Sequence, residues 1–443
     1  MIMTKCDHLK LLTVAITLGL CSSFVSAQTV APTTIDLTTA KRYAVEHNYS
    51  VNALRRAVEE EAARRDASDA AFLPRLGVAG GGETVSEGGD TQTGRVAYGY
   101  LNYNLFAGFR DRHKSAIADV AFEKARINLK VEEYKVGLEV EEYFHIYLYK
   151  KAQIEIKARD LKRNDEHRQL VKRSRATGSA SETDVMEFQI KDANIQSELV
   201  ALKQELEDAR SNLKRLLGED VGSGIEPVGG LQHQHVLGDL MTYLSRIEKT
   251  SSDVLIGVQD VAVAALEQRV IDSRWLPEID LEAQTGFLPG RTGETDVKPQ
   301  VALTLLAKME LYSGGEVRAA GREKTAARAR AEASLKDAIN RAIRRVEIGY
   351  RNLKVIEARA DLERNNVDFS TKYYKSVTEE YKRGYKNSAD LSSAADRLTD
   401  SEARRVELDF NFLRQKIDLE KDLGAPLDVE IISDPSVKKA AKA

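Results

Sequence analysis

The feature that most limits how this chain can fold is a repeat with a constant offset. Leu105 and Leu311, Gly108 and Gly314, Gly178 and Gly384, Asp184 and Asp390, Leu217 and Leu423, and Gly218 and Gly424 each stand 206 residues apart. So do Val200/Val406, Leu202/Leu408 and Leu213/Leu419. Nothing is inserted or lost between the copies across about 110 residues of helix-forming sequence. The Leu73-Pro74 and Leu276-Pro277 pairs are 203 apart, so the length change falls in the segment just before the helices. Loops tolerate such changes and packed elements do not. The helical part of each copy is therefore fixed in length by something it has to match.

Each copy has the same order of elements. Residues 36–71 and 239–274 carry helix patterns, stopped by Pro74 and Pro277 because proline disfavours helix in the residue before it. Two strands follow in each copy, at 75–107 and 278–312. In the second pair Ile279, Leu281, Ala283, Thr285 and Phe287 share one face, with Asp280, Glu282 and Gln284 opposite. Past the loop, Val301, Leu303, Leu305, Ala307, Met309 and Leu311 share a face, and period 2 with an unbroken apolar side is a strand signal. The first pair alternates less cleanly, and its Tyr98, Tyr100 and Tyr103 look like membrane-interface aromatics. A proline-free stretch from Arg110 to Ala176 predicts a helix of about 100 Å. It turns at Gly178, and a shorter helix returns from Glu182 to Leu217; the second copy reaches Lys382, turns at Gly384 and returns to Leu423. This divides the chain into repeat 1 (28–218), a Gly-rich linker (219–237), repeat 2 (238–424) and a tail (425–443) expected to be disordered.

The N-terminus predicts export. Lys5 and Lys10 precede an apolar run, and Val25-Ser26-Ala27 offers a small-x-small cleavage site, so 1–27 reads as a signal peptide. A membrane anchor is the alternative, but the run is shorter than the roughly 20 residues a spanning helix needs. Cys6 and Cys21 both lie in it; Cys21 as a lipid attachment site is disfavoured by the bulky Leu20. The mature chain is thus expected to have no disulfide and to be held together in another way. A net charge of −3 gives no electrostatic case for nucleic acid. No later segment is apolar for long enough to span a bilayer as a helix, so membrane entry has to use strands. Four strands cannot close a barrel, and an open edge in lipid is prohibitively costly. Three chains would supply twelve strands, within the range of known barrels, and a homotrimer is the smallest common cyclic solution.

In sequence order these features resemble the TolC-like outer-membrane efflux protein family over residues 36–424. The resemblance rests on Phe72-Leu-Pro and Trp275-Leu-Pro, Leu105-Phe-Ala-Gly and Leu311-Tyr-Ser-Gly-Gly315, the two Gly-x5-Asp turns, and the endings Leu-Leu-Gly218 and Asp-Leu-Gly424. It implies an α+β membrane protein: a homotrimeric 12-stranded transmembrane β-barrel, four strands per chain, continuous with a long α-helical barrel in the periplasm. It also implies a Gram-negative outer-membrane location and a passive duct. Cargo, either small molecules in efflux or proteins in type I secretion, would be delivered by an inner-membrane transporter and a periplasmic adaptor.

The turns at 178 and 384 are the candidate site. Ser181 and Asn387 are good N-cap residues and put Asp184 and Asp390 at the third helical position, where acids stabilise a helix start by about 0.3–1 kcal/mol. In a trimer the same carboxylates would form a ring at the periplasmic mouth, and the two roles are compatible. The resemblance implies an iris-like gate locked by Thr183 and Asp184 on one hairpin with Tyr381 and Lys386 on the other. Lys386 stands where some relatives carry Arg, which removes a bidentate bond, and Ser393 stands where some carry a second acid. Gly178 and Gly384 with their flanks, including Lys172, Arg173 and Arg175, are the expected adaptor-docking points. No cofactor or metal is expected. His233 and His235 lie in the linker, and the chain has no His-Glu-x-x-His, phosphate loop or nucleophile elbow, so an enzyme is not the reading. The alternative function is a periplasmic or surface coiled-coil interaction protein without a pore, for which the alternating strand faces have no use.

Overall fold

The computed structural model describes residues 34–87, 90–218, 226–232, 234–288 and 299–431. The expected leader, both cysteines, His233 and residues 432–443 of the tail lie outside the described residues. The first copy contains β1 (Thr34–Ile35), α1 (Leu37–His47), α2 (Tyr49–Asp69), β2 (Arg75–Glu87), β3 (Asp90–Ala107), α3 (Arg110–Ala176) and α4 (Glu182–Leu217). The link carries β4 (Glu226–Pro227) and β5 (Gln234–Val236). The second copy contains α5 (Leu240–Leu244), α6 (Ile247–Thr250), α7 (Ser252–Asp272), β6 (Glu278–Phe287), β7 (Gln300–Lys308), α8 (Glu316–Lys382) and α9 (Ser388–Leu423), and β8 (Val429–Ile431) ends the described chain.

Four antiparallel strands form one sheet in the order β2-β3-β6-β7. Directly opposed residues share a face, so the register sorts every side chain. Leu281 pairs with Leu305 and Tyr103, Ala283 with Leu303 and Leu101, and Leu101 with Leu76. That face is bare: Leu76, Val78, Val301, Leu303 and Leu305 are 66 to 88 % exposed. The other face carries Asp280, Glu282 and Gln284 opposite Asn104, Asn102 and Tyr100. Tyr98 and Tyr100 therefore lie on the polar face, opposite in side to Tyr103, which corrects the expectation of three membrane-interface tyrosines. The Tyr100 ring lies over Gly77, where a Cβ would come within 2.3 Å of it. A bulge between Asn104 and Phe106 restores Phe106 to the apolar side. The second apolar face stops at Ala307, because β7 ends at Lys308; Met309 and Leu311 follow outside the strand.

Sheet passes to helix through a tight turn. Phe109 has φ 66°, the only positive φ of a non-glycine among the described residues, and its ring meets Phe106 edge-on at 5.1 Å. Left-handed backbone costs a non-glycine roughly 1–2 kcal/mol. The second copy avoids it by placing Gly315 at the equivalent position, with φ 92°.

The long helices each have 67 residues and the returning helices 36. α1, α2 and α4 pack along α3, while α7 and α9 pack along α8. The copies join where α3 meets α9 and α7. Two of the sequence-predicted helices are interrupted. The 36–71 segment breaks at Asn48, whose Oδ1 accepts from the backbone of Ser50 (2.8 Å) and Val51 (3.4 Å) and starts α2 afresh. The 239–274 segment breaks around Ser245 and Ser251 into α5, α6 and α7. The tail also departs from expectation: residues 425–431 are ordered, with β8 antiparallel to β5 of the linker. Buried apolar clusters mark the levels of the helical body. One gathers Ala40, Val51, Val140, Phe144, Leu213 and Leu217, and a second Tyr243, Val346, Leu353, Phe412 and Leu423. Among the described residues no helix is long and apolar enough to cross a membrane.

Candidate functional site

The two tips are built alike. At the first, Gly178 has φ 81°, its N–H donates to the Arg175 carbonyl (2.9 Å), and Ser179 N–H donates to the Ser174 carbonyl (2.8 Å). At the second, Gly384 has φ 82°, its N–H donates to the Tyr381 carbonyl (2.9 Å), and Tyr385 N–H donates to the Glu380 carbonyl (2.9 Å). Both are Schellman closures of a long helix. The returning helices then start with reciprocal capping boxes. Ser181 Oγ accepts from Asp184 N–H (3.2 Å) and Asp184 Oδ2 accepts from Ser181 N–H (2.8 Å). Asn387 Oδ1 accepts from Asp390 N–H (2.8 Å) and Asp390 Oδ2 accepts from Asn387 N–H (3.3 Å).

Those bonds explain the Asp184 carboxyl. The Ser181 backbone and hydroxyl hold it below the usual carboxylate range, and the nearby Ser388 hydroxyl on the other tip adds a little to this. Thr183 Oγ1 is 2.7 Å from Ser181 Oγ and thus engaged within its own cap. Tyr381 is buried among Val171, Val185, Phe188 and Leu391, and its hydroxyl is 3.4 Å from Ser174 Oγ. Lys386 is exposed, and among the described residues no ion pair involves it. Within one chain, then, the hydrogen bond between the tips is Tyr381–Ser174, and Ser388 lies near enough to Asp184 to favour its charged form. Thr183 and Lys386 do not take part, and Gly178 and Gly384 are exposed at the turns. Ser174 and Ser388 were not found by sequence reasoning.

Above the tips the two copies are zipped by further bonds. His167 Nε2 is 2.8 Å from Tyr374 Oη. Thr399 Oγ1 donates to Asp160 Oδ1 (2.9 Å) and accepts from Arg163 Nη2 (2.8 Å), and Lys191 pairs with Asp396. Tyr149 and Phe410 stack at 4.5 Å between ring centres. Higher still, Glu141 is buried between Lys41 and Lys416. Among the described residues no group of three or more His, Cys, Asp and Glu is placed to hold a metal ion.

A four-stranded sheet with one bare apolar face, continuous with two helical hairpins matched in length, is the build of one subunit of a membrane channel that extends away from the bilayer. The sequence profile of the outer membrane efflux protein family matches residues 42–219 and 244–425, and the chain belongs to that family. No curated protein sequence matches it. Among solved structures, the outer membrane protein VceC of Vibrio cholerae aligns over 88 % of this chain and 97 % of its own, at 15 % identity and a TM-score of 0.74. The CmeC outer membrane channel of Campylobacter jejuni aligns over 92 % and 88 %, at 14 % identity and 0.73. The MtrE outer membrane channel of Neisseria gonorrhoeae, in its open state, aligns over 88 % and 89 %, at 16 % identity and 0.73. The protein is an outer-membrane efflux channel reaching into the periplasm, of a family that works in tripartite efflux assemblies and not as enzymes.

Proposed function

We propose that three copies of this chain close into a single passive duct, gated at its periplasmic end by the tips at 178 and 384. Each copy is incomplete along both sides. β2 and β7 are free sheet edges, and the apolar face would place them in lipid. The helical body also ends in exposed apolar stripes. On α8, Ile348, Val355, Leu362 and Phe369 recur every seventh residue and are 52, 58, 70 and 66 % exposed. On α4, Met186, Ile190 and Val200 are 50, 63 and 70 % exposed. A seven-residue repeat of apolar side chains is a coiled-coil seam waiting for a partner helix. Joining α8 of one copy to α4 of the next would set Leu362 and Phe369, about 30 and 20 Å from the tip, level with Val200 at about 27 Å, and would pair both sheet edges. This incomplete pair of edges is the observation that carries the reading.

The partners proposed are a periplasmic adaptor docking at the Gly178 and Gly384 turns and an inner-membrane transporter that selects the cargo. Thr183, Asp184, Tyr381, Lys386 and Asp390 would meet the tips of neighbouring copies at the mouth. Purified protein should run as a trimer in detergent by light scattering and give stepwise conductance in planar bilayers. The double change Leu362→Asp and Phe369→Asp should leave monomers. Persistently monomeric wild-type protein with no conductance, even when Asp184, Lys386 and Asp390 are altered to loosen the tips, would sink the proposal.

A further inference from the structure

The polar zipper between the two copies has one member that a proton can disable. We propose that His167 and Tyr374 form a second latch, above the tip gate, that holds the two hairpins of each chain together at neutral pH and releases them in acid. This rests on the proposed duct, whose opening requires the hairpins to part.

The geometry places the latch where parting has to occur. His167 is on α3 and Tyr374 on α8, 207 residues apart, and their Nε2 and Oη are 2.8 Å apart. The position is ten residues before Thr177, about 15 Å up the helix from the turn. His167 is only 2 % exposed, wedged between the Phe188 ring (6.0 Å, near perpendicular) and the Tyr374 ring (5.7 Å). A separation of the hairpins breaks this bond and wets the imidazole.

The surroundings accept a neutral ring and resist a charged one. Arg163 on α3 and Lys191 on α4 face it with positive charge. Asp396 on α9 opposes them with negative charge, and Lys191 already pairs with it. Asp192 on α4 is taken by Asn164 and Arg168. Tyr374 on α8 faces Arg163, Glu166 and Lys382, and burial pushes its phenol up, so it stays neutral. Burial, with Lys191 and Arg163, pushes the His167 imidazole down from 6.5 to about 4. A depressed histidine stabilises the closed form above its ordinary value, and this contribution is lost as pH falls below 6.5. Between pH 7.5 and 5.0 that difference shifts each chain toward the parted form by roughly 30-fold.

The test is planar-bilayer conductance of the full-length protein at pH 7.5 and 5.0, for wild type, His167→Gln and Tyr374→Phe. Wild type should gain open probability in acid. His167→Gln should lose most of that gain, which separates the latch from carboxylates elsewhere that also titrate. Tyr374→Phe should be more open at pH 7.5 and keep its acid response. An acid response in His167→Gln equal to wild type overturns the latch and leaves the duct standing. If His167→Gln does not assemble, Tyr374→Phe decides, and wild-type open probability at pH 7.5 overturns the proposal. Absence of conductance from wild type and from tip-loosened protein alike overturns the duct, and the latch with it.

Discussion

Lys416 Nζ lies 3.2 Å from Glu141 Oε1, joining α9 of the second copy to α3 of the first in a site where both side chains are almost wholly buried. Lys41 of α1 reaches the same carboxylate, and Glu420 Oε1 lies 3.5 Å from the same ammonium while accepting from Leu427 N–H (2.9 Å). One cation thus ties both copies and the ordered start of the tail into a single knot. Removing one partner of a buried pair leaves an unpaired charge and costs about 3–5 kcal/mol. Lys416→Met should therefore lower the unfolding temperature sharply, and adding Glu141→Gln should recover part of the loss, as read by thermal circular dichroism.

The same knot sets an acid-side dependence of stability. Burial raises the Glu141 carboxyl, but Lys416 and Lys41 outweigh it and the net shift is downward. Its stabilisation is present above the ordinary value of 4.5 and is lost as pH falls through the lowered value. Glu420 is shifted upward, burial outweighing Lys416, so its contribution has the opposite sign and fades as pH rises. Glu141→Gln should flatten the loss of stability on the acid side, measured by denaturant titration from neutral pH to well below pH 4.5.

The two tip glycines differ in consequence from the glycine that ends α9. A Cβ at Gly178 or Gly384 meets nothing within 4 Å, so alanine there pays only for left-handed backbone, about 1–2 kcal/mol. Gly424 is also left-handed, but a Cβ would stand 2.1 Å from the Thr250 carbonyl oxygen. Gly424→Ala should destabilise distinctly more than either tip change in parallel melts. Equal losses at all three sites would contradict the packing described for α6 and α9.

The cap made by Asp184 and the gating role proposed for it are separable. Ser181→Ala removes the hydroxyl that caps α4 and keeps the carboxylate, and should cost about 1 kcal/mol. Asp184→Asn keeps much of the cap geometry and removes the charge. If the carboxylate ring matters for passage, conductance selectivity for cations should fall in Asp184→Asn and hold in Ser181→Ala.

Much of this architecture is legible in the sequence. Proline-free runs of helix formers between two glycine turns define α3 and α8, and alternation defines β6 and the outward face of β7. The break at Asn48 was signalled too, since Asn48 followed by Ser50 is an N-cap pattern, but the strong helix formers on both sides masked it. Tyr98 and Tyr100 misled because their side depends on pairing register with β6, which a single strand does not reveal. The zipper between the copies was hidden in a different way. Its partners Tyr381–Ser174 and His167–Tyr374 are 207 residues apart and Lys191–Asp396 205, within one of the repeat offset. Where α3 meets α8 and α4 meets α9, equivalent heights on the two copies face each other, so the offset that revealed the repeat also indexed those contacts; the α3–α9 bonds of Thr399 to Asp160 and Arg163, 239 and 236 residues apart, fall outside it.

Because both long helices have 67 residues and both returning helices 36, the chain carries its own measuring rod in duplicate. Deleting seven residues from α3 and seven from α4 would raise one tip by about 10 Å and leave the other in place. Every cross-copy bond below the cut would then face the wrong partner. A matched deletion in all four helices should instead yield a shorter protein whose tips still lie in one plane. The span this channel covers can therefore drift only by coordinated edits to both halves of its gene, which makes its reach far harder to change than its surface.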